Sequence, residues 1–188
     1  MQIQRLDIPD VIVVTPRRFE DDRGFFSETY NEKAFAEAGI DAAFVQDNHS
    51  CSVQAGTVRG LHYQTPPHAQ GKLVRVTSGA IIDVVVDVRR GSPHYGQHVK
   101  AEISAENGSQ IWVPAGFLHG FVTLKPDTHV TYKVTDFYDG GCDGSVLWSD
   151  PALGIDWGIG ESEAVLSAKG AKAQSWHDFD SPFVYAPA

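Results

Sequence analysis

Apolar and polar residues alternate in short runs along most of this chain, and glycine, proline or paired polar residues break the runs at close intervals. Residues 3–14 predict one or two short strands, interrupted at Pro9. Phe44-Val45-Gln46-Asp47-Asn48-His49-Ser50 has the period of two expected of a strand whose functional face points inward. Residues 73–77 and 80–88 flank Ser78-Gly79 and read as a hairpin. In its second arm Asp83, Val85 and Asp87 share one face, while Ile82, Val84, Val86 and Val88 share the other. Further short strands are predicted over 97–104, 110–113, 120–124 and 130–135, with turn signals at Arg90-Gly91-Ser92-Pro93, Glu106-Asn107-Gly108 and Pro126-Asp127. Before residue 150 one helix is expected, over 32–38, capped by Asn31 and ended by Gly39. The tail beyond Pro151 is less regular, with one helix near 162–169 and with Trp157 and Trp176 packing against the rest. The pattern predicts an all-β sandwich or barrel with a few short helices at its periphery, rather than a parallel α/β sheet. No repeat, linker or low-complexity segment interrupts it, so residues 1–188 are expected to form a single domain.

Composition narrows the function classes. At 188 residues and 42% hydrophobic, the chain is long enough to bury a full core. A net charge of −9 without any run of Lys or Arg disfavours nonspecific binding to nucleic acid or to membrane surfaces. A few placed cations could still grip a phosphorylated small molecule. The first residues lack the apolar core of a signal peptide, and no apolar run reaches spanning length. Cys51 and Cys142 fit no metal-ligand spacing, so reduced thiols and a cytoplasmic location are expected.

The chemistry concentrates in Arg59-Gly60-Leu61-His62-Tyr63-Gln64, followed by Gln70-Gly71-Lys72-Leu73-Val74-Arg75-Val76. A guanidinium, an imidazole and an amine interleaved with strand formers suggest side chains that line a cavity. Taken singly, each residue has an ordinary reading: His62 or His119 as a hydrogen-bonded structural histidine, Arg23 as a solvated turn charge, Tyr132 as a core aromatic. Asp83 and Asp87 read equally well as supports for Lys72 or Arg75 or as part of a solvated face. His49, His94, His98, His129 and His177 are expected to be structural or exposed.

Gly108-x5-Pro114-x-Gly116-x2-His119 matches the second cupin motif, and Gly56-x5-His62-x-Gln64 resembles the first with Gln in place of one histidine. The resemblance implies a cupin jelly roll, a double-sheet antiparallel barrel, with a degraded metal motif. Lys72 falls where metal cupins carry an acidic ligand, and an ammonium there opposes a divalent ion; His68 lies in a loop. More specifically, the chain resembles the dTDP-4-dehydrorhamnose 3,5-epimerases along nearly its whole length. The segments that carry this are Phe19-x-Asp21-x-Arg23-Gly24-x-Phe26-x-Glu28, Gln46-Asp47-Asn48-x-Ser50, Arg59 to Gln64, Gln70 to Val74, Asp83 to Ser92, Pro114 to Phe121, and Tyr132-Lys133.

That family acts on a dTDP-linked 4-keto-6-deoxyhexose, whose C3 and C5 protons are acidified by the C4 ketone. The resemblance implies His62 as the base, Lys72 facing the C4 oxygen, and Tyr132 as the acid on the opposite face. Arg23 and Arg59 would grip the diphosphate. Glu28, Gln46 and Asn48 would bind the nucleotide, Phe26 and Tyr138 would stack on thymine, and His119 would line the sugar pocket. Asp47, Asp143 and Lys169 complete the implied substrate-binding set. No metal or organic cofactor is implied, and a homodimer is, because the segment from Arg23 to Glu28 is thought to reach into the partner subunit.

Two departures stand out. The family pattern Leu-Ser-x-Lys-Asp places a carboxylate behind the base histidine, whereas this chain reads Leu166-Ser167-Ala168-Lys169-Gly170. Asp83 or Asp178 would then have to substitute. Asp143 stands where the family more often has Glu, a shortening that could leave a water-filled gap. Three functions are therefore carried forward: a full 3,5-epimerase; an enzyme inverting C3 alone or C5 alone; and a weakly active nucleotide-sugar binder or a metal cupin of unrelated chemistry.

Overall fold

A computed structural model describes residues 1–187. The strands are β1 (Gln2–Arg5), β2 (Ile12–Thr15), β3 (Phe19–Asp21), β4 (Gly24–Phe26), β5 (Gln46–Ser52), β6 (Val58–Gln64), β7 (Lys72–Ser78), β8 (Ala80–Asp87), β9 (His98–Ser104), β10 (Gln110–Val113), β11 (Phe117–Thr123), β12 (Thr128–Val134) and β13 (Asp143–Ser145). One sheet runs β1-β2-β10-β7-β12-β5 and the other β13-β6-β11-β8-β9, both antiparallel. β3 and β4 form a separate two-stranded ribbon. This is the all-β class that the strand pattern predicts, in the double-sheet antiparallel form that the cupin resemblance implies.

The two sheets face each other across a core of Val74, Val76, Ile111 and Val130 from one side and Ile81, Val85, Ile103 and Phe121 from the other. The outer face of the second sheet is not solvated. Val84, Val86, Leu118 and Val122 lie under Trp148, Trp157, Phe179 and Phe183 of the C-terminal tail. Two-sided burial explains why β8 is apolar at nearly every position and not only at alternate ones. Each fully buried aliphatic side chain such as Ile81 or Val84 contributes roughly 1.5–3 kcal/mol, an upper estimate. The first sheet's outer face is covered in part by α1 (Glu32–Glu37), whose Phe35 packs with Ile12, Val14, Ile40 and Leu73. Asn31 caps that helix through the Ala34 N–H, and Gly39 follows with a left-handed φ of 90°.

Two expectations are corrected. β7 and β8 are not a hairpin: β7 pairs with β10 and β12, while β8 pairs with β9 and β11 in the opposite sheet. Ser78-Gly79 is a corner between sheets. Gly79 has φ +81°, and a Cβ there would lie 2.3 Å from Thr128 Oγ1. A tight antiparallel reversal with buried faces has the same sequence pattern in both arrangements. The helix expected near 162–169 is likewise absent, and only short 3-10 turns occur, at Glu161–Glu163 and Gly170–Lys172. Between them Val165 N–H donates to Gly56 O (2.9 Å) and Val58 N–H donates to Val165 O (3.0 Å), so tertiary pairing overrides local helix propensity. Trp157 is buried against Trp148 and Trp176 stacks with Tyr95 and Phe179, as the tail reading anticipates.

Candidate active site

One end of the space between the sheets is polar, and β6 and β11 set its geometry. Gly60 has φ +151°, and a Cβ on it would fall 2.5 Å from Gly120 Cα, so only glycine allows the strands to approach there. The register then places His62 directly opposite His119. From the facing sheet, β5, β7 and β12 bring Gln46, Asn48, Ser50, Lys72 and Tyr132 inward. A segment of the tail, from Val165 to Gly170, crosses the opening, tied by its backbone to β6 and by a Lys169 Nζ–Asp143 Oδ2 ion pair.

Two adjoining cavities result, sharing His62, Lys72, Tyr132 and Ser167. The outer, of about 270 Å³, is walled by Gln46, Asn48, Gln64, Tyr138, Asp143 and Lys169. The inner, of about 310 Å³, is walled by Ser50, Arg59, His119, Phe121, Leu166 and Gly170. Of the fourteen residues expected from sequence, ten line these spaces: His62, Lys72, Tyr132, Gln46, Asn48, Arg59, His119, Tyr138, Asp143 and Lys169.

The other four lie elsewhere in this chain. Arg23 sits on the β3–β4 ribbon with its side chain 90% exposed, pairing with Asp21 at 2.6 Å. Phe26 on the same ribbon and Glu28 just beyond it are exposed. Asp47 points out of the barrel and accepts from Lys133 Nζ at 3.0 Å.

Electrostatics differ sharply among the groups in the cavity. Burial, with the Lys72 ammonium second, lowers His62 to about 4, while Asp143 pulls the other way; the imidazole is neutral near pH 7. Burial lowers Lys72 to about 8, opposed by Asp83 and Asp143. Burial raises the Tyr132 phenol, partly offset by Arg59, so it holds its proton at neutral pH. His119 Nε2 donates to Asp83 Oδ2 at 2.8 Å, and Asp83 is fully buried. Burial pushes the Asp83 carboxyl up, and the His119 and Lys72 charges pull it back. Arg59 is fixed by donation to Ser52 Oγ and Cys51 O, both at 3.1 Å. Gln46 Nε2 donates to Asn48 Oδ1, and Tyr138 OH to Asp143 Oδ2.

Several sequence expectations change here. Asp83 hydrogen-bonds His119 and also supports the Lys72 charge, with no part in a solvated face or with Arg75, and Asp178 bonds to Ser175, so neither supplies a carboxylate to His62. Asp87 holds Arg89 and Ser92 in a buried cluster. The shortened Asp143 leaves no isolated carboxylate, since Tyr138 and Lys169 both reach it. Gln64, at the degraded metal-ligand position, has its amide occupied by backbone: Nε2 donates to His68 O and Phe137 O, and Oε1 accepts from Asp139 N–H. Among the described residues no group of three or more His, Cys, Asp or Glu is placed to hold a metal ion. Gln70, Ser50 and Ser167 also wall the cavities, outside the set of site residues expected from the sequence. Alternation along residues 44–50 already put Ser50 on the inward face, and the stretch Leu166-Ser167-Ala168-Lys169-Gly170, which resembles the family pattern, is the signal that marks Ser167.

The sequence pattern of the dTDP-4-dehydrorhamnose 3,5-epimerases matches residues 5–178. The chain is 52% identical over 185 residues to the dTDP-4-dehydrorhamnose 3,5-epimerase of Sinorhizobium fredii, covering 98% of this chain and 94% of that one. Among solved structures it is similar to the dTDP-6-deoxy-D-glucose-3,5-epimerase RmlC of Legionella pneumophila in complex with dTDP-4-keto-L-rhamnose. The TM-score is 0.93 at 42% identity, over 99% of both chains. It also resembles ChmJ, a 3'-monoepimerase from Streptomyces bikiniensis in complex with dTDP-quinovose. There the TM-score is 0.83 at 33% identity, over 90% of this chain and 85% of that one. With matches of this extent across sequence and fold, the chain belongs to the dTDP-4-dehydrorhamnose 3,5-epimerase family.

Proposed function

We propose that this chain, acting as one cupin-type domain, is an isomerase that converts dTDP-4-dehydro-6-deoxy-D-glucose to dTDP-4-dehydro-L-rhamnose. The observation that carries the reading is that His62 and Tyr132 enter one cavity from opposite sheets. Inversion beside a ketone needs a base on one face of the ring and a proton donor on the other. Neutral His62 removes the C3 or C5 proton, and the electrons flow onto the C4 oxygen. Lys72, still protonated below about pH 8, stabilises that oxyanion. Tyr132, a phenol that keeps its proton, returns one from the far side. The residues present supply base, cation and acid, so the scheme calls for no metal or organic cofactor.

Arg59, pre-oriented by Ser52, grips the diphosphate, while Gln46 and Asn48 hydrogen-bond the nucleotide and the exposed Tyr138 ring stacks on thymine, with Asp143 and Lys169 bracing the mouth. Arg23, Phe26 and Glu28 act across a homodimer, each protomer's β3–β4 ribbon reaching its partner's cavity. The support is that Phe19, Phe25 and Phe26 are 52%, 57% and 70% exposed on a two-stranded ribbon, an element rarely stable by itself. A complementation assay tests this. Arg23→Ala mixed with His62→Ala should recover about a quarter of wild-type activity on random re-association, because each heterodimer would hold one intact site. No recovery would place Arg23 in its own chain's site. The location proposed is the cytoplasm, supported by the free thiols Cys51 and Cys142; among the described residues no helix is long and apolar enough to cross a membrane.

Turnover in deuterated water, followed by NMR, tests the reaction. Deuterium should enter at both C3 and C5. Exchange at C3 alone would favour the second reading, a single-centre epimerase, for which the absence of a carboxylate at Gly170 is the specific observation.

A further inference from the structure

Four side chains of β5 point into the barrel: Gln46, Asn48, Ser50 and Ser52. Three are engaged. Gln46 donates to Asn48 and accepts from the Tyr138 N–H, and Ser52 accepts from Arg59. Ser50 Oγ is buried and has no hydrogen-bond partner. Among the described residues, the other such side-chain atom is Asp83 Oδ1, whose carboxylate is already committed to His119 through Oδ2. Native proteins seldom leave a buried hydroxyl unpaired, and when one faces a cavity a missing partner is the simplest account.

The place of Ser50 says what that partner is. It lines the inner cavity with Arg59, His62, Lys72 and Tyr132, and it is absent from the wall of the outer one that holds Tyr138 and Lys169. Inward side chains two apart on a strand are spaced about 7 Å. On one side of Ser50 is Ser52, which anchors Arg59; on the other is Asn48, the register partner of Tyr132. Resting on the site assignment proposed above, the diphosphate at C1 lies toward Arg59, and the reacting C3, C4 and C5 lie toward His62, Lys72 and Tyr132. Two ring atoms, C2 and the ring oxygen, lie between these ends; the ring oxygen bears no proton, and C2 carries the hydroxyl that can both give and accept a hydrogen bond.

We infer that Ser50 is a substrate-positioning residue whose hydroxyl donates to the 2-hydroxyl oxygen of the hexose. The bond stops the ring rotating about its glycosidic link, so both faces stay aligned between His62 and Tyr132.

Calorimetry on the intact protein tests this without relying on turnover. The probes are dTDP, dTDP-glucose and dTDP-2-deoxyglucose. Ser50→Ala should leave dTDP affinity unchanged and weaken dTDP-glucose about 2- to 10-fold, the range of one neutral hydrogen bond. The 2-deoxy ligand should lose the same factor with wild-type protein and nothing further with the variant. Equal loss on dTDP alone would move the contact to the diphosphate and overturn the inference, as would no loss on dTDP-glucose or additive losses from variant and ligand. The wild-type arm does not depend on how the variant folds. A wild-type protein that binds dTDP-glucose with this signature but epimerises nothing would sink the functional reading and leave Ser50 standing.

Discussion

His62 and His119 face each other across one pair of strands, yet they are equipped differently. His119 has a fully buried carboxylate behind it, Asp83, at 2.8 Å. His62 has no side-chain hydrogen bond among the contacts of the described residues, and the charge nearest in kind is Asp143, which acts at a distance and is shared with Tyr138 and Lys169. The better-supported imidazole is therefore the one assigned to hold the sugar, and the barer one is assigned the chemistry. Orientation and basicity come apart here. Asp83 fixes a tautomer and a ring plane, which suits binding. As the proposed base, His62 must change protonation within each cycle, and burial keeps it neutral with only the more distant, shared Asp143 favouring its charged form.

The comparison breaks first if the roles are reversed. His62→Ala should lower kcat/KM by about 10²–10⁴, the span of general-base assistance. Loss of Lys72 as Lys72→Met should cost about 10²–10³, in line with one oxyanion donor. Deuterium wash-in at C3, read by NMR, should fall with both. A larger loss in His119→Ala than in His62→Ala would transfer the base role to the Asp83-supported ring.

The pH profile sharpens the same contrast. His62 works as the neutral form, so activity should fall as pH drops through about 4. Lys72 works as the cation, so activity should fall as pH rises through about 8. A plateau of kcat/KM between these limbs is expected, and each limb should approach a tenfold change per pH unit. An acid limb centred near the ordinary histidine value would mean that bound substrate or Asp143 compensates the burial of His62.

Next in size is the support behind His119. Asp83→Ala leaves a buried N–H without an acceptor, which should destabilise the fold by about 1–3 kcal/mol in denaturant titrations. KM should rise more than kcat falls. If Asp83 acts only through His119, then Asp83→Ala combined with His119→Ala should be no worse than His119→Ala alone. Additive losses would give Asp83 a second role, with Lys72 the neighbour to examine.

How much of this was legible in the residues depends on whether the determining contact is local. Alternation placed Asp83 and Asp87 on one face of β8 and Gln46, Asn48 and Ser50 on one face of β5, because a strand's period is a property of the chain itself. The same signal could not say which strand β8 pairs with, so Ser78-Gly79 read as a hairpin and proved to be a corner between sheets. Nor could it say which side chain Asp83 meets: His119 comes from a strand more than thirty residues away, set beside it by the β8–β11 register. Residues 162–169 read as helix because Glu, Ala, Leu and Lys favour one, and only the backbone pairing of Val165 with β6 decides otherwise. Arg23, Phe26 and Glu28 are the sharpest case. Motif resemblance gathers them with the site, and the fold of this chain keeps them on an outlying ribbon.

The smallest expected effect comes from giving His62 what His119 has. Gly170 and His62 wall the same inner cavity, and nothing about the backbone at 170 demands glycine. Its φ lies outside the left-handed region, within the 3-10 turn Gly170–Lys172, and a Cβ there would meet only Ser167 Oγ, at 3.4 Å. Gly170→Asp therefore meets no backbone obstacle to folding, and because position 170 is buried its melting temperature should stay close to wild type only where the new carboxylate pairs with His62. A carboxylate behind the imidazole favours its charged form. The acid limb should move to higher pH, and turnover near neutrality should rise about two- to tenfold, a fraction of the full general-base contribution. The shift of the limb separates this from a packing effect, which would change turnover without moving the pH at which His62 titrates. A stable Gly170→Asp protein with an unmoved limb would show that position 170 does not reach His62 and that Asp143, acting across the cavity, is the only acid the base has.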